Sequence, residues 1–306
     1  MSTKNVPAKK SEEKTISERF LEKVEKEFQA SLGHGVEFTD YQKKLASNLY
    51  VKIDTSLKDF EAKRLNSNKT HQAEYVWNNV NMPKLAVDAV HRVHLGLDAL
   101  IPNHLHAVPY FNNKLKKYDI DLRIGYRGKD YYRRKMANPE PVDIRYELVY
   151  STDEFEVIKK TEGQAVETYR FNITNPFQRG DVIGGFGYIM YEDESRNKVV
   201  IVSETEFKKV EGVAKASNFW SDWGDRMRYK TLVHRVTDNL DIDPEKVNPS
   251  YHYVESQENL FDESNKIPET EQPTQRRSLD TAKAEPVNNN HYAGTPFEEA
   301  EQVEEA

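Results

Sequence analysis

Cysteine is absent from the 306-residue chain. That excludes a disulfide framework and a thiolate zinc site, and it fits a reducing, cytoplasmic setting. No apolar run approaches the roughly 18–20 residues that span a bilayer, so no membrane partner is expected. The first residues, MSTKNVPAKKSEEK, carry charge without an apolar stretch and are not expected to act as a signal peptide. No GxxxxGK[ST] occurs, which removes a Walker-type ATP site, and no G-x-S-x-G occurs, which removes that nucleophile elbow. Gly184-Gly185-Phe186-Gly187 lacks the strand-to-helix setting of a phosphate loop and suits close backbone packing or a bulge instead. No repeat of solenoid period is present.

Apolar residues are also scarce, at 37%, while charged residues reach 31%. Part of the chain is therefore expected to stay unfolded. The charge is unevenly placed. Between Glu255 and Ala306 stand 13 acids and four bases, which leaves residues 1–254 with 38 acids and 40 bases. The total of −7 thus belongs to the C-terminal segment, and the remainder is mildly basic. Such a distribution is compatible with a polyanionic partner.

What is abundant is concentrated in residues 112–135. Nine cations (Lys114, Lys116, Lys117, Arg123, Arg127, Lys129, Arg133, Arg134 and Lys135) face three acids, Asp119, Asp121 and Asp130. Tyr118, Tyr126, Tyr131 and Tyr132 are interleaved with them. Cations neutralise phosphates and flat rings stack on bases, so the mixture suits single-stranded nucleic acid. The competing reading is an ordinary solvated hairpin tip. A second basic-aromatic element lies in a helix expected over 218–240. At 100° per residue Phe219, Trp223, Arg226 and Lys230 fall within about 60° of one another, whereas Trp220, Arg228 and Arg235 lie off that face. Tyr229, Leu232, Val233, Val236 and Leu240 form its core stripe.

Around these elements the pattern predicts three amphipathic helices, over 17–32, over 39–60, and after Pro83 as far as a Gly96 cap. A hairpin follows, pairing 105–111 with 121–124 across a basic connection over 112–119. After a short helix over 129–137, strands are expected over 142–150, 154–159, 165–171, 181–191 and 199–202, in a mostly antiparallel sheet. Ser203 to Glu206 fits a capping box. The division expected is a disordered N-terminus over 1–15, one domain over 16–250 and a disordered acidic tail over 251–306.

Metal chemistry has three candidate settings: His91 with His94, His104 with His106, and the acid pairs Asp119/Asp121 and Asp241/Asp243. No HExxH-type pattern completes any of them. A metal-dependent nuclease using Asp119, Asp121 and a histidine is the rival class, and a non-catalytic virion or scaffold protein is a third.

Three motifs in order then carry a resemblance. Gly96-Leu97-Asp98, Pro102-Asn103-His104 and Ala107-Val108-Pro109-Tyr110 resemble the GL(D/E)P…GHAYLVPY signature of the RecT family of phage-type single-strand annealing proteins. Leu122 to Gly128, LRIGYRG, resembles that family's QLIIGYRG step. Trp220 to Leu232, WSDWGDRMRYKTL, is similar to its PW…W…EMxxKT helix. Ala99, Asn103, His106 and Arg226 depart from the pattern. The resemblance covers roughly 20–245 and implies an α+β fold, a bent antiparallel sheet packed on helices as in Rad52-like annealing proteins. It implies a recombinase that needs neither ATP nor another cofactor and does no bond chemistry. Such a protein binds single-stranded DNA, pairs complementary strands into duplex, and assembles into rings or helical filaments in a bacterial host's cytoplasm. A phage exonuclease, and a host single-strand binding protein, are the implied partners. On this reading Lys114, Lys116, Lys117, Arg123, Arg127 and Lys129 line one side of a DNA groove. Arg226, Arg228, Lys230 and Arg235 line the other, with Tyr126, Phe219 and Trp223 as stacking residues.

Overall fold

A computed structural model describes residues 14–32, 37–67, 73–213 and 217–264. The first helix, α1 (Ile16–Leu32), buries Phe20, Val24 and Phe28, three residues at i, i+4 and i+8 that share one face. The second, α2 (Asp40–Asn66), begins at a capping box in which the Thr39 hydroxyl accepts from the Gln42 N–H and the Gln42 side chain accepts from the Thr39 N–H. Such a cap contributes about 1 kcal/mol. It runs beyond the expected end near Phe60, because Arg64 in its last turn is buried and paired with Glu61 at 2.6 Å. Pro83 opens α3 (Met82–His94) rather than breaking it. Gly96, at φ +81°, turns the chain after it.

These helices share one core with a hairpin, β1 (Leu105–Asn112) and β2 (Lys117–Ile124). The strands are longer and the turn shorter than the sequence suggests, pairing Leu105 with Ile124 and Asn112 with Lys117. The Asn112 side chain makes the turn compact by accepting from the N–H groups of Lys114 (3.1 Å) and Leu115 (3.2 Å). Helix α4 (Tyr126–Met136) follows at once.

The expected single sheet is three. Beyond the first hairpin, β3 (Asp143–Tyr150), β6 (Val182–Met190) and β7 (Lys198–Ser203) form an antiparallel sheet in the order β3-β6-β7, and β4 (Glu154–Ile158) pairs with β5 (Thr168–Asn172) in a separate hairpin. Phe186 of β6 stacks on Phe155 of that hairpin at 4.5 Å. The other face of β6 meets α6 (Ser217–Thr237), with α5 (Glu204–Gly212) beside it, in a second core that includes Ile144, Ile189, Phe207, Leu232 and Val236. The glycine run packs closely, as expected: a Cβ on Gly187 would lie 2.3 Å from Val236 Cγ2, and one on Gly185 3.0 Å from Leu232 Cδ2.

Two further expectations need correction. Helix α6 is not regular, because Trp223 at φ −134°, ψ 35° breaks it. The segment from 251 does not begin as a disordered tail either. It lies within helix α7 (Pro249–Ser264), which buries Tyr251 and Val254 against the first core. The remainder of the predicted tail, and residues 1–13 of the predicted N-terminal one, lie outside the described residues. The fold is α+β, with antiparallel sheets packed on helices.

Candidate nucleic-acid interface

Two motifs distant in sequence meet at the start of α4. The Gly125 N–H donates to the His104 carbonyl at 3.0 Å, and the Gly128 N–H to the Asn103 carbonyl at 3.2 Å. Asn103 adopts φ +63° to present its carbonyl there. No side chain fits between them: a Cβ on Gly125 would lie 2.2 Å from Asn103 O, and one on Gly128 2.4 Å from His104 O. Glycine is required here for close approach, which explains why Pro102-Asn103-His104 and Gly125-Tyr126-Arg127-Gly128 occur together.

That junction forms one wall of a cleft of about 840 Å³. Asn103, His106, Val108, Arg123, Ile124, Gly125 and Tyr126 line this wall, and Asp225, Arg226, Met227, Tyr229 and Lys230 of α6 line the opposite one. Arg123, Tyr126, Arg226 and Lys230, drawn from two stretches a hundred residues apart, thus face one space. Tyr126 meets Tyr229 edge-on at 5.9 Å, and Tyr229 meets Tyr146 in the same way at 6.4 Å. The Tyr146 hydroxyl donates to Asp130, which also pairs with Arg134. Trp223 is 51% exposed, and the Arg226 guanidinium lies 4.5 Å from its ring. The helix break at Trp223 therefore leaves the aromatic-basic pair intact.

Two imidazoles have lowered pKa values, with burial the first cause in each. Partial desolvation, then the charges of Lys52, Lys230 and Arg123, hold the His106 pKa below the ordinary histidine value. Burial, with Lys129, Lys230 and Arg235 nearby, pushes His234 down to about 3.

Not every predicted residue reaches this space. Lys114, Lys116 and Lys117 are exposed at the hairpin tip, away from the cleft lining. Arg127 is exposed beside the ring of Tyr126, at 6.0 Å. Lys129 points the other way, pairing with Asp238 at 2.8 Å. Arg228 pairs with Asp225 (3.5 Å) and Glu211 (4.0 Å), and Arg235 with Glu206 at 2.7 Å. These three cations lie off the groove because nearby acids claim them. The side chain of Phe219 lies outside the described residues. Trp220 is buried.

The metal candidates have other partners. His91 Nδ1 and His94 Nδ1 each lie 3.0 Å from the Ser250 hydroxyl, so the pair clamps the start of α7. His104 is buried while His106 is exposed, so the two do not converge. Asp119 accepts from Asn81 (2.7 Å) and Asn112 (3.0 Å), and Asp121 pairs with Arg123 at 2.8 Å. Among the described residues no three His, Asp or Glu side chains are grouped to hold an ion, and no helix is long and apolar enough to cross a membrane.

Sequence reasoning missed His106, Val108 and Tyr229 as cleft residues. The signal for the first two was the strand alternation: Leu105 and Ala107 face the core, so His106 and Val108 must face away. Tyr229 was assigned to the core stripe, and it lies at the stripe's edge.

Comparison with known proteins adds one match. A model of the RecT family matches residues 89–241, and no individual curated protein matches the chain. The matched span is half of the sequence. It begins within α3, contains every residue lining the cleft, and includes the glycine junction that builds it. On that match, the chain is a member of the RecT family.

Proposed function

We propose that the protein binds single-stranded DNA along this cleft and anneals complementary strands during recombination, without ATP. The observation that carries the reading is the convergence of Arg123, Tyr126, Arg226 and Lys230 on one space. Annealing requires that phosphates be held while base edges stay free to test a second strand. Guanidinium and ammonium groups serve the first need, and rings at the rim the second. Trp223 with Arg226 offers a stacking surface at the mouth. Arg127 and the tip lysines Lys114, Lys116 and Lys117 extend the positive path outside the cleft. Lys129, Arg228 and Arg235 have structural roles.

The family's mode of action implies that many copies act together on one strand. Each copy offers a short site, and a ring or filament of them gives avidity along the strand. We place the annealing and oligomerisation domain at residues 16–264, with a Rad52-like core as its architecture. The acidic residues beyond it suit docking to a partner protein, an exonuclease that supplies single strands or a host single-strand binding protein. The cell compartment proposed is the bacterial cytoplasm.

The test is annealing of two fluorescently labelled complementary oligonucleotides without ATP, across a salt series. Acceleration over the protein-free rate that weakens with salt is expected. No acceleration at any salt that permits binding refutes the reading. Magnesium-dependent cleavage of the same oligonucleotides would favour the nuclease instead.

A further inference from the structure

Phe177 is 95% exposed, the most exposed large apolar side chain among the described residues. It stands in the loop that joins β5 to β6, and that loop is built rather than slack. The Asn175 side chain accepts from the N–H groups of Phe177 and Gln178, both at 3.3 Å. At the base of the loop the Thr174 hydroxyl donates to the Thr152 carbonyl (2.6 Å). The Thr152 N–H and hydroxyl both donate to the Arg179 carbonyl, at 3.2 and 3.0 Å. The Arg179 guanidinium is held by Asp153 (2.5 Å) and the Leu148 carbonyl (3.0 Å). A ring fixed in this way loses little freedom when another surface covers it. No residue from 173 to 178 is charged, so the loop tip has no cation to hold a phosphate and suits an apolar protein surface.

The sheet behind the loop is guarded against strand pairing. On β3, one edge of that sheet, the Ile144 and Leu148 carbonyls accept from Arg134 (3.3 Å) and Arg179 (3.0 Å). On β7, the other edge, the Val199 N–H donates to Glu167 at 2.7 Å. Side chains that bind edge groups discourage sheet-to-sheet association. An apolar surface that matches the ring stands elsewhere on the same chain. Leu100 and Ile101, adjacent in the turn after α3, are each about half exposed, and residues 99–103 are also uncharged. Their turn is fixed too. The Leu100 N–H donates to Asp98 Oδ1 (2.9 Å), the Ile101 N–H to the Asp98 carbonyl (3.2 Å), and the Asn48 amide of α2 to both Asp98 carboxylate oxygens (3.0 Å). Leu115 is exposed as well, but it stands between Lys114 and Lys116 and suits a strand rather than a phenyl ring.

Resting on the single-strand reading above, in which many copies share one strand, we propose that Phe177 of one copy seats against Leu100 and Ile101 of the next. The two surfaces differ, so the contact repeats head to tail, and it closes a ring or runs on as a filament. One phenyl ring buries about 200 Å². Two half-exposed aliphatic side chains do not raise the total to the roughly 1,200 Å² of a stable interface. The contact is therefore weak between free copies and effective between copies that a shared strand holds side by side.

The experiment uses the full-length protein and two fluorescein-labelled oligothymidylates, the shortest that saturates with one copy and a long one that seats many. Phe177→Ser and Ile101→Ser remove exposed side chains, so both should keep the wild-type melting temperature and bind the short strand as wild type does. On the long strand wild type should gain affinity per copy, and both variants should lose that gain by about tenfold or more, the scale of one anchor residue. The chain has no cysteine, so Gln178→Cys and Pro102→Cys, beside the two surfaces, can be joined by a bifunctional maleimide at those positions alone. A mixture of the two should give a covalent dimer on the long strand, and neither should do so by itself. Long-strand binding by Phe177→Ser equal to wild type overturns the contact, and so does a mixture that gives no dimer. Weaker short-strand binding by Phe177→Ser assigns the ring to a base and overturns it too. All three leave the single-strand reading standing. A wild-type protein that binds neither strand overturns that reading and the contact with it.

Discussion

Gly125→Ala should damage fold and cleft together. Gly125 has φ −80°, so its backbone conformation is open to any residue and strain is not the cause. The cause is contact: the new methyl would lie 2.2 Å from Asn103 O, and 2.7 Å from Asn103 C. Both atoms are backbone, so no side chain can rotate away. Restoring ordinary contact requires the Asn103 turn and the start of α4 to separate by on the order of 1 Å. Overpacking of this kind costs about 1–3 kcal/mol. The separation also weakens the bonds from Gly125 to His104 (3.0 Å) and from Gly128 to Asn103 (3.2 Å), each contributing about 1 kcal/mol. The expected loss is about 2–4 kcal/mol, with weaker oligonucleotide binding because Gly125 lines the cleft. Gly163→Ala is the control, since nothing lies within 4 Å of its added methyl. It should stay within about 0.5 kcal/mol of wild type. Guanidinium denaturation and anisotropy on the same samples measure both effects. A Gly125→Ala protein as stable as the Gly163→Ala one refutes the close-approach argument.

Further outcomes follow from other parts of the molecule. Lys230→Glu should weaken single-strand binding at low salt and flatten the slope of log K against log salt by about 0.7 per lost phosphate contact. Lys129→Ala should instead leave that slope unchanged and lower the melting temperature, since its partner is Asp238. Hydrogen bonds from Arg64 and from the Tyr75 N–H hold Glu61 at about 2, against an ordinary 4.5. The stability this provides is complete above the unfolded-state pKa and fades as pH falls from about 4.5 towards 2; Glu61→Gln should flatten that part of the acid-denaturation curve. A chain ending at residue 248 loses α7 and should melt well below the full chain, because Tyr251, Val254 and Ser250 leave the first core. One ending at residue 264 should melt like the full chain.

Much of the architecture was readable where burial imposes a period. Phe20, Val24 and Phe28 marked α1, and Leu45, Leu49, Ile53 and Leu57 marked α2, because a helix with one buried face must repeat near 3.6. Helix α7 escaped for the opposite reason. Most of its residues are polar, and its attachment depends on Tyr251, on Val254, and on one serine held by two histidines, a pattern with no local signal. The division into three sheets also depends on contacts between distant strands. At the candidate site, charge density pointed to two stretches that the fold brings to one cleft, but it could not sort their cations. Arg123 and Lys230 reach the cleft while Lys129 and Arg235 do not. Lys129 and Arg235 are turned towards Asp238 and Glu206, acids that only the fold brings near, whereas Arg123 pairs with Asp121 on its own strand and still lines the cleft. His106 offers a metal pair in sequence because it stands two residues from His104, but the fold buries His104 and leaves His106 on the cleft wall.

The two walls of the cleft belong to separately packed cores, and α4 joins them with ions. Arg133, its side chain only 10% exposed, reaches Asp238 (3.5 Å) beyond the end of α6, and Tyr251 (2.6 Å) and Glu255 (3.3 Å) of α7. Lys129, 12% exposed, meets Asp238 as well. Charges sheltered in this way are screened far less than those open to solvent. On the single-strand reading proposed above, a rise in salt would strip a strand from the solvent-exposed cations of the cleft while the joint between the cores stays closed. The protein would let go of its product without loosening itself, and the emptied cleft would be ready for reuse.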